Sequence, residues 1–329
     1  MESGTPAVAC PEMAPVDLRS LTSPDEVAVV LAGDGYLADT GLATVVLLAL
    51  RLRRPLLLEG DAGVGKTEVA RALARVGGAE LIRLQCYEGI DAAQAVYEWD
   101  YARQLLHLRA TEAAATIAGA PRSGEGTVDA LEDELFSERF LVRRPLLRAV
   151  TATDGPPPVL LIDEVDRADD EFEAFLLEVL SDDAVTVPEL GTFRAEEPPI
   201  VVLTSNRTRD VHDALKRRCL HHWIEHPDVA REVAIVRSRA PQVDPDLALR
   251  VATVVDRFRA LGLYKTPGVA ETIDWAVALR TLGRTVLDAD AVRDTIGAVL
   301  KYREDQQRVL SSDLDALLGA TGERDDAGG

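Results

Sequence analysis

Leu56-Leu57-Leu58-Glu59-Gly60-Asp61-Ala62-Gly63-Val64-Gly65-Lys66-Thr67 runs from a short apolar segment through a glycine-rich loop into an amphipathic stretch over 67–76. The order predicts strand, loop, helix. Residues 60–67 fit G-x-x-x-x-G-K-[ST] in full, and the chemistry of a phosphate cradle explains the spacing. Glycines let successive backbone N–H groups curl around phosphate oxygens, and the helix N-terminus adds its positive dipole. Lys66 reaches the β- and γ-phosphates, and the Thr67 hydroxyl is a ligand for Mg²⁺. The nucleotide-binding residues expected are Gly60, Asp61, Ala62, Gly63, Val64, Gly65, Lys66, Thr67 and Glu68, with ATP and Mg²⁺ as cofactors.

A phosphate loop needs an acidic partner at the end of a neighbouring strand. Val159-Leu160-Leu161-Ile162-Asp163-Glu164 supplies four apolar residues and then two carboxylates. Asp163 is expected to hold Mg²⁺ with Thr67, and Glu164 to orient and polarise the attacking water. The second carboxylate points to hydrolysis, because a kinase of this type activates a substrate hydroxyl instead. Asn206, after the apolar run 200–204, could position water against the γ-phosphate. Leu215-Lys216-Arg217-Arg218-Cys219 places a basic cluster before another apolar run. Beside the other motifs, Arg217 or Arg218 reads as an arginine finger acting on a neighbouring subunit, worth about 10³–10⁵ in rate.

Outward from these motifs, apolar runs at 81–85, 159–162, 199–204 and 220–224 alternate with helical patterns. Continuous apolar strands predict an α/β fold with a parallel sheet flanked by helices. Helices are expected at 27–32, 42–52 and 169–180. After Pro227 the pattern is helical to the end, with segments at 229–239, 245–261, 269–282 and 289–302 forming a small all-helical lid domain. The domains expected are a loose tail at 1–24, the nucleotide-binding domain at 25–227, the lid at 228–318 and a second tail at 319–329. Residues 92–152 read as mixed, with a strand through the alternating Tyr97, Trp99 and Tyr101, a helix at 104–118 and a loop at 121–126.

The chain of 329 residues carries 36 Lys+Arg against 56 Asp+Glu, a formal net charge of −20. That balance opposes nucleic acid or an anionic membrane as partner, since both attract cationic surface. Ten acids against one arginine lie between residues 163 and 183, and an approach of 216–218 to this segment across a subunit boundary is expected. Cys10, Cys86 and Cys219 are too few and scattered for a disulfide framework, which suits a reducing compartment. The longest apolar run, near residues 42–50, is far short of the ~20 residues that span a bilayer. Residues 1–14 hold no Lys or Arg and no long apolar segment, so a cytoplasmic location is expected. His222 and His226, with Cys219 and His221 nearby, supply only half of a zinc spacing. In Tyr97-Glu98-Trp99-Asp100-Tyr101 the interleaved acids oppose stacking on a polyanion.

In this order, 60–67, 159–164, Asn206 and Arg217/Arg218, followed by a helical segment, resemble the AAA+ ATPases over residues 25–315. Segments 54–67, 162–182 and 265–275 are similar to the MoxR family, in particular to the type associated with carbon monoxide dehydrogenase accessory proteins. The resemblance implies a homo-oligomeric, hexameric ring. It also implies a partner with a von Willebrand factor A domain and chaperone work on a protein client in metalloenzyme maturation. Gln85 matches a polar switch position that gates the Walker-B glutamate, and Tyr87-Glu88-Gly89 faintly resembles an aromatic pore loop. The lid motif Lys265-Thr266-Pro267-Gly268-Val269-Ala270-Glu271 departs from the family in having no arginine; Lys265 is the substitute it offers. A nucleic-acid-acting AAA+ protein and a slow nucleotide-gated scaffold are the alternatives.

Overall fold

The computed structural model describes residues 14–118 and 125–319. The tails at 1–13 and 320–329, and most of the loop expected at 121–126, lie outside the described residues. Nine strands are described: β1 (Leu56–Gly60), β2 (Leu81–Gln85), β3 (Tyr97–Trp99), β4 (Leu141–Arg143), β5 (Val159–Asp163), β6 (Ala184–Val187), β7 (Gly191–Arg194), β8 (Ile200–Ser205) and β9 (Leu220–Ile224). Five of them form one parallel sheet in the order β2-β5-β8-β1-β9. Each residue of β1 and β5 is buried, as fits strands covered on both faces. Strand β2 lies at the edge, and its burial alternates, with Ile82 and Leu84 inward and Arg83 exposed. Its register against β5 sets Gln85 opposite Asp163.

The chain divides into two compact units, and they are not contiguous stretches. The first gathers residues 1–23, 44–58 and 73–222; the second gathers 24–43, 59–72 and 223–329. The division cuts β1 after Leu58 and β9 after His222.

The first unit has its core between the sheet and helices Pro145–Val150 and Asp170–Asp182, with Leu84, Leu147, Ile162, Phe172 and Leu176 at its centre. Part of the expected tail belongs to it. Asp17 caps a 3₁₀ turn at Leu18–Ser20, Leu18 and Leu21 are buried, and the Val16 N–H donates to the Val76 carbonyl at 2.9 Å. Two antiparallel strand pairs, β3–β4 and the hairpin β6–β7, stand apart from the main sheet. Tyr101 does not continue β3; it opens the helix Tyr101–Ala118.

The second unit holds the C-terminal helices Val229–Arg239, Pro245–Arg259, Val269–Thr281, Ala289–Val299, Arg303–Leu310 and Leu314–Leu318. Phe258 and Trp275 stack at 5.8 Å in its core, and the Trp275 indole N–H donates to Thr295 Oγ1 at 2.7 Å. The helix expected to run to residue 302 ends at Val299. The Lys301 ammonium there donates to the Gly297 and Ala298 carbonyls, at 3.2 and 2.6 Å, and so satisfies groups that a helix end leaves open.

Candidate nucleotide site

In the second unit, residues 60–65 curl into the loop that leads to helix Lys66–Gly77. Lys66 is buried, and its ammonium donates to the Gly60 and Asp61 carbonyls, each at 2.7 Å. Gly60 has φ +152, and a Cβ there would stand 2.4 Å from the Ile224 carbonyl oxygen. Gly63 has φ +81 and lies so close to Gly268 that a Cβ on Gly268 would stand 2.6 Å from the Gly63 Cα. The Gly63 carbonyl accepts from the Val269 N–H at 3.0 Å, and Glu271 accepts from the Gly268 N–H at 3.1 Å. Glycine at both positions therefore lets helix Val269–Thr281 start against the loop.

The loop residues 63–65 and Glu68 form one wall of a cavity of about 380 Å³. Tyr36, Leu37, Ile224, Ile235 and Ile273 supply apolar surface, while Asp39, Arg231 and Arg239 bring charge. Burial pushes the Tyr36 hydroxyl well above the usual phenol range, so it stays protonated. Arg231 pairs with Asp39 at 3.0 Å and Arg239 with Glu68 at 2.6 Å. Lys265 has no place on this wall; its ammonium lies 6.0 Å over the Tyr302 ring. The helical arginines that line this cavity are Arg231 and Arg239, which sequence patterns did not single out. His226 Nε2 meets Asp61 Oδ2 at 3.2 Å. Burial, with Arg259 next in effect, holds the imidazole below its ordinary pKa despite Asp61.

In the first unit, β5 ends at Asp163, whose carboxylate is buried. Its Oδ1 accepts from the Thr204 hydroxyl at 2.6 Å and its Oδ2 from Arg83 Nη2 at 2.6 Å. Glu164 follows in the left-handed region, with φ 56. A non-glycine residue there costs about 1–3 kcal/mol and persists where its surroundings hold it. Here the Glu164 N–H donates to Thr204 Oγ1 at 2.9 Å. The Glu164 carboxylate accepts from Gln85 Nε2 at 3.1 Å and Asn206 Nδ2 at 3.3 Å, and Arg167 lies 3.3 Å away. Asn206 is placed by Asp166, which accepts from the Asn206 N–H at 3.2 Å and the Thr208 N–H at 2.8 Å. Asp163, Glu164, Asn206 and Gln85 thus come together. Arg83, Thr204 and Asp166 join them unannounced.

Mg²⁺ keeps several waters and binds through one or two carboxylates plus substrate phosphates. The buried Asp163 carboxylate is the kind of oxygen donor such an ion takes. Cys86 sits near the acidic cluster, and burial together with those carboxylates pushes its thiol up to about 12, so it supplies no thiolate.

A family model for the AAA domain, dynein-related subfamily, matches residues 55–219, just over half of the chain. The chain belongs to this AAA family. No curated protein matches it significantly. The AAA match covers β1 to the start of the approach to β9, including the phosphate loop, both β5 carboxylates, Asn206 and the basic cluster. It establishes an AAA+ ATPase fold; no helix among the described residues is long and apolar enough to cross a membrane.

Within this AAA domain the two candidate fingers differ. Arg218 donates to the Ser181 carbonyl at 3.0 Å and Lys216 lies 3.7 Å from Asp210, both inside one chain. The expected approach of the basic cluster to the acidic segment is therefore made in part within the chain. Arg217 is exposed, and among the described residues its guanidinium has no partner, while Arg54 Nη2 pins its carbonyl at 2.7 Å. The described residues hold no group of three His, Cys, Asp or Glu that could bind a metal.

Proposed function

We propose that the protein is an ATP-hydrolysing AAA+ chaperone of the MoxR type, working as a homo-oligomeric ring on a protein client. The observation that carries hydrolysis is the setting of Glu164, a carboxylate held by two neutral amides beside a buried acidic residue. Residues 60–68 would bind the triphosphate, with Lys66 on its outer phosphates. The cavity beside Gly63 and Glu68 would take the base and ribose, since it is apolar with a few charged groups at its rim. Asp163 and Thr67 would hold Mg²⁺, which neutralises charge on the transferred phosphoryl group. Glu164 would accept a proton from the attacking water while Asn206 fixes its carboxylate.

Arg217 supports the ring, because an exposed guanidinium on a pinned backbone suits a group that completes a neighbour's site. An Arg217→Ala variant should bind ATP and hydrolyse it slowly, and Lys66→Ala should not bind it. Mixing the two should restore part of the turnover; absence of rescue at every ratio would count against a finger acting in trans. For the client, affinity capture with ATP-loaded protein should recover a von Willebrand A-domain protein and a metalloenzyme subunit. Recovery of DNA instead would favour the nucleic-acid-acting alternative, which the charge of −20 opposes.

A further inference from the structure

Helix Asp213–Arg218 has six residues, and its last turn holds Lys216, Arg217 and Arg218. An α-helix leaves its last four carbonyls without a partner inside the helix. Here the Cys219 N–H takes two of them, that of Leu215 at 3.3 Å and that of Lys216 at 3.1 Å. The other two belong to Arg217 and Arg218, and a side chain from a distant part of the sequence takes both. Arg54 Nη2 donates to the Arg217 carbonyl at 2.7 Å and to the Cys219 carbonyl at 3.1 Å. Arg54 Nε donates to the Arg218 carbonyl at 3.0 Å. One guanidinium thus closes three consecutive carbonyls. Among the described residues it has no carboxylate partner, in a chain with 56 Asp+Glu.

The Arg54 backbone is itself fixed. Its N–H donates to the Ala49 carbonyl at 3.1 Å, in the last turn of helix Thr40–Leu52, and the next residue, Pro55, accepts from the Leu220 N–H at 2.8 Å. The basic cluster is anchored on both sides, through buried Leu215 and Cys219. Basic side chains near a helix end can fold back on its open carbonyls. Lys301 does so in this chain, on Gly297 and Ala298. At Arg217 that return is closed, because Arg54 holds the carbonyls of 217, 218 and 219 and its fixed charge repels a second guanidinium. Arg218 turns instead to the Ser181 carbonyl, and Lys216 lies near Asp210. Of the three basic side chains, only that of Arg217 is left without a partner among the described residues.

We propose that Arg54 is a positioning residue for Arg217. By closing the helix end it fixes the backbone that carries this guanidinium and denies the guanidinium a place on its own chain. Arg217 then stays extended for the phosphates of a neighbouring subunit. This step rests on the proposed role of Arg217 as a finger acting in trans. Arg54 touches neither nucleotide nor metal and acts only through Arg217.

The test separates positioning from binding. ATP affinity and maximal turnover are measured on the full-length protein for wild type, Arg54→Met, Arg217→Ala and the double variant. Arg54→Met keeps the apolar stem and loses every donor. It should bind ATP as the wild type does and turn over more slowly by about 10²-fold, the scale of a catalytic group displaced by about 1 Å. In the Arg217→Ala background the same substitution should cost nothing further, since residues that act through one group are not additive. Losses that multiply, an ATP affinity that falls together with turnover, or wild-type turnover in Arg54→Met each overturn the proposal. Arg54→Lys keeps the charge but has one nitrogen for three carbonyls, so its turnover should lie between the wild type and Arg54→Met. Wild-type turnover in Arg54→Lys contradicts the three-carbonyl grip. Should Arg54→Met not fold, the same cycle is run with Arg54→Lys and read by the same rule. Wild-type turnover in Arg217→Ala removes the finger and this step with it, whereas slow Arg217→Ala beside fast Arg54→Met removes this step alone.

Discussion

Arg259 and Glu232, in the second unit, meet through two bonds of 2.7 and 2.8 Å, with side chains 9% and 0% exposed. Arg83 and Asp163, in the first, meet at 3.0 and 2.6 Å, but the arginine is 47% exposed. The chemistry is the same and the consequences are opposite. Arg259 spreads its donors over both carboxylate oxygens and adds a bond to the Pro267 carbonyl, while Thr272 fills the remaining space on Glu232. No partner in that group can leave without stranding a buried charge. Arg83 puts two donors on one oxygen and keeps a path to water, so its pair can open. The first arrangement is closed inside a helical unit, and in the second the arginine stays in contact with solvent.

Stability measurements should separate the two. Arg259→Met strands Glu232 and should cost about 3–5 kcal/mol, seen as a melting temperature lower by roughly 10 °C. A loss below about 1 kcal/mol would show that the pair is not the anchor its burial indicates. Gly268→Ala tests the same unit where it meets the phosphate loop. The new Cβ would stand 2.6 Å from the Gly63 Cα, so backbone must shift, at about 1–3 kcal/mol, and ATP binding should weaken. Unchanged melting and binding would mean that the loop tolerates the displacement. Arg83→Gln should change stability by less than about 1 kcal/mol, because its exposed end is screened by solvent. A loss as large as that from Arg259→Met would erase the distinction between the pairs.

The smallest effect concerns pH. His226 has a folded pKa below its ordinary value of 6.5, chiefly through burial and then through Arg259. A base with a depressed pKa resists protonation in the folded state. Its contribution is complete above about pH 6.5 and is lost as pH falls through the lower folded value. His226→Gln should therefore flatten the fall of melting temperature between pH 7.5 and 5.5, measured by calorimetry. An identical slope would remove His226 from the account.

Much of the catalytic edge could be read from residue types, because phosphate chemistry restricts what can stand there. Glycine at 60 and 63 is demanded by φ values of +152 and +81, and a doubly covered strand needs an unbroken apolar run such as 159–162. Arg83 was not legible in this way. Between Ile82 and Leu84 it reads as the exposed face of an edge strand, and nothing local says that a carboxylate 80 residues later lies beside it. Arg217 and Arg218 are chemically equal in sequence, and the Ser181 carbonyl is what distinguishes them. The hairpin β6–β7 escaped because its apolar residues, Val185 and Val187, alternate over only four positions. Leu18 and Leu21 look like stray apolar residues in a polar tail until the turn at Leu18–Ser20 buries them. Discontinuous units are equally invisible, since most of their boundaries fall inside single elements: β1, β9 and the helices Thr40–Leu52 and Lys66–Gly77.

The central claim is that Glu164 activates water for ATP hydrolysis. Steady-state turnover with Mg²⁺ and ATP, measured beside ATP affinity for wild type and Glu164→Gln, tests it most directly. The account predicts retained binding with turnover lower by about 10²–10⁴, the range for a lost general base. Turnover equal to wild type in the Glu164→Gln protein would contradict it.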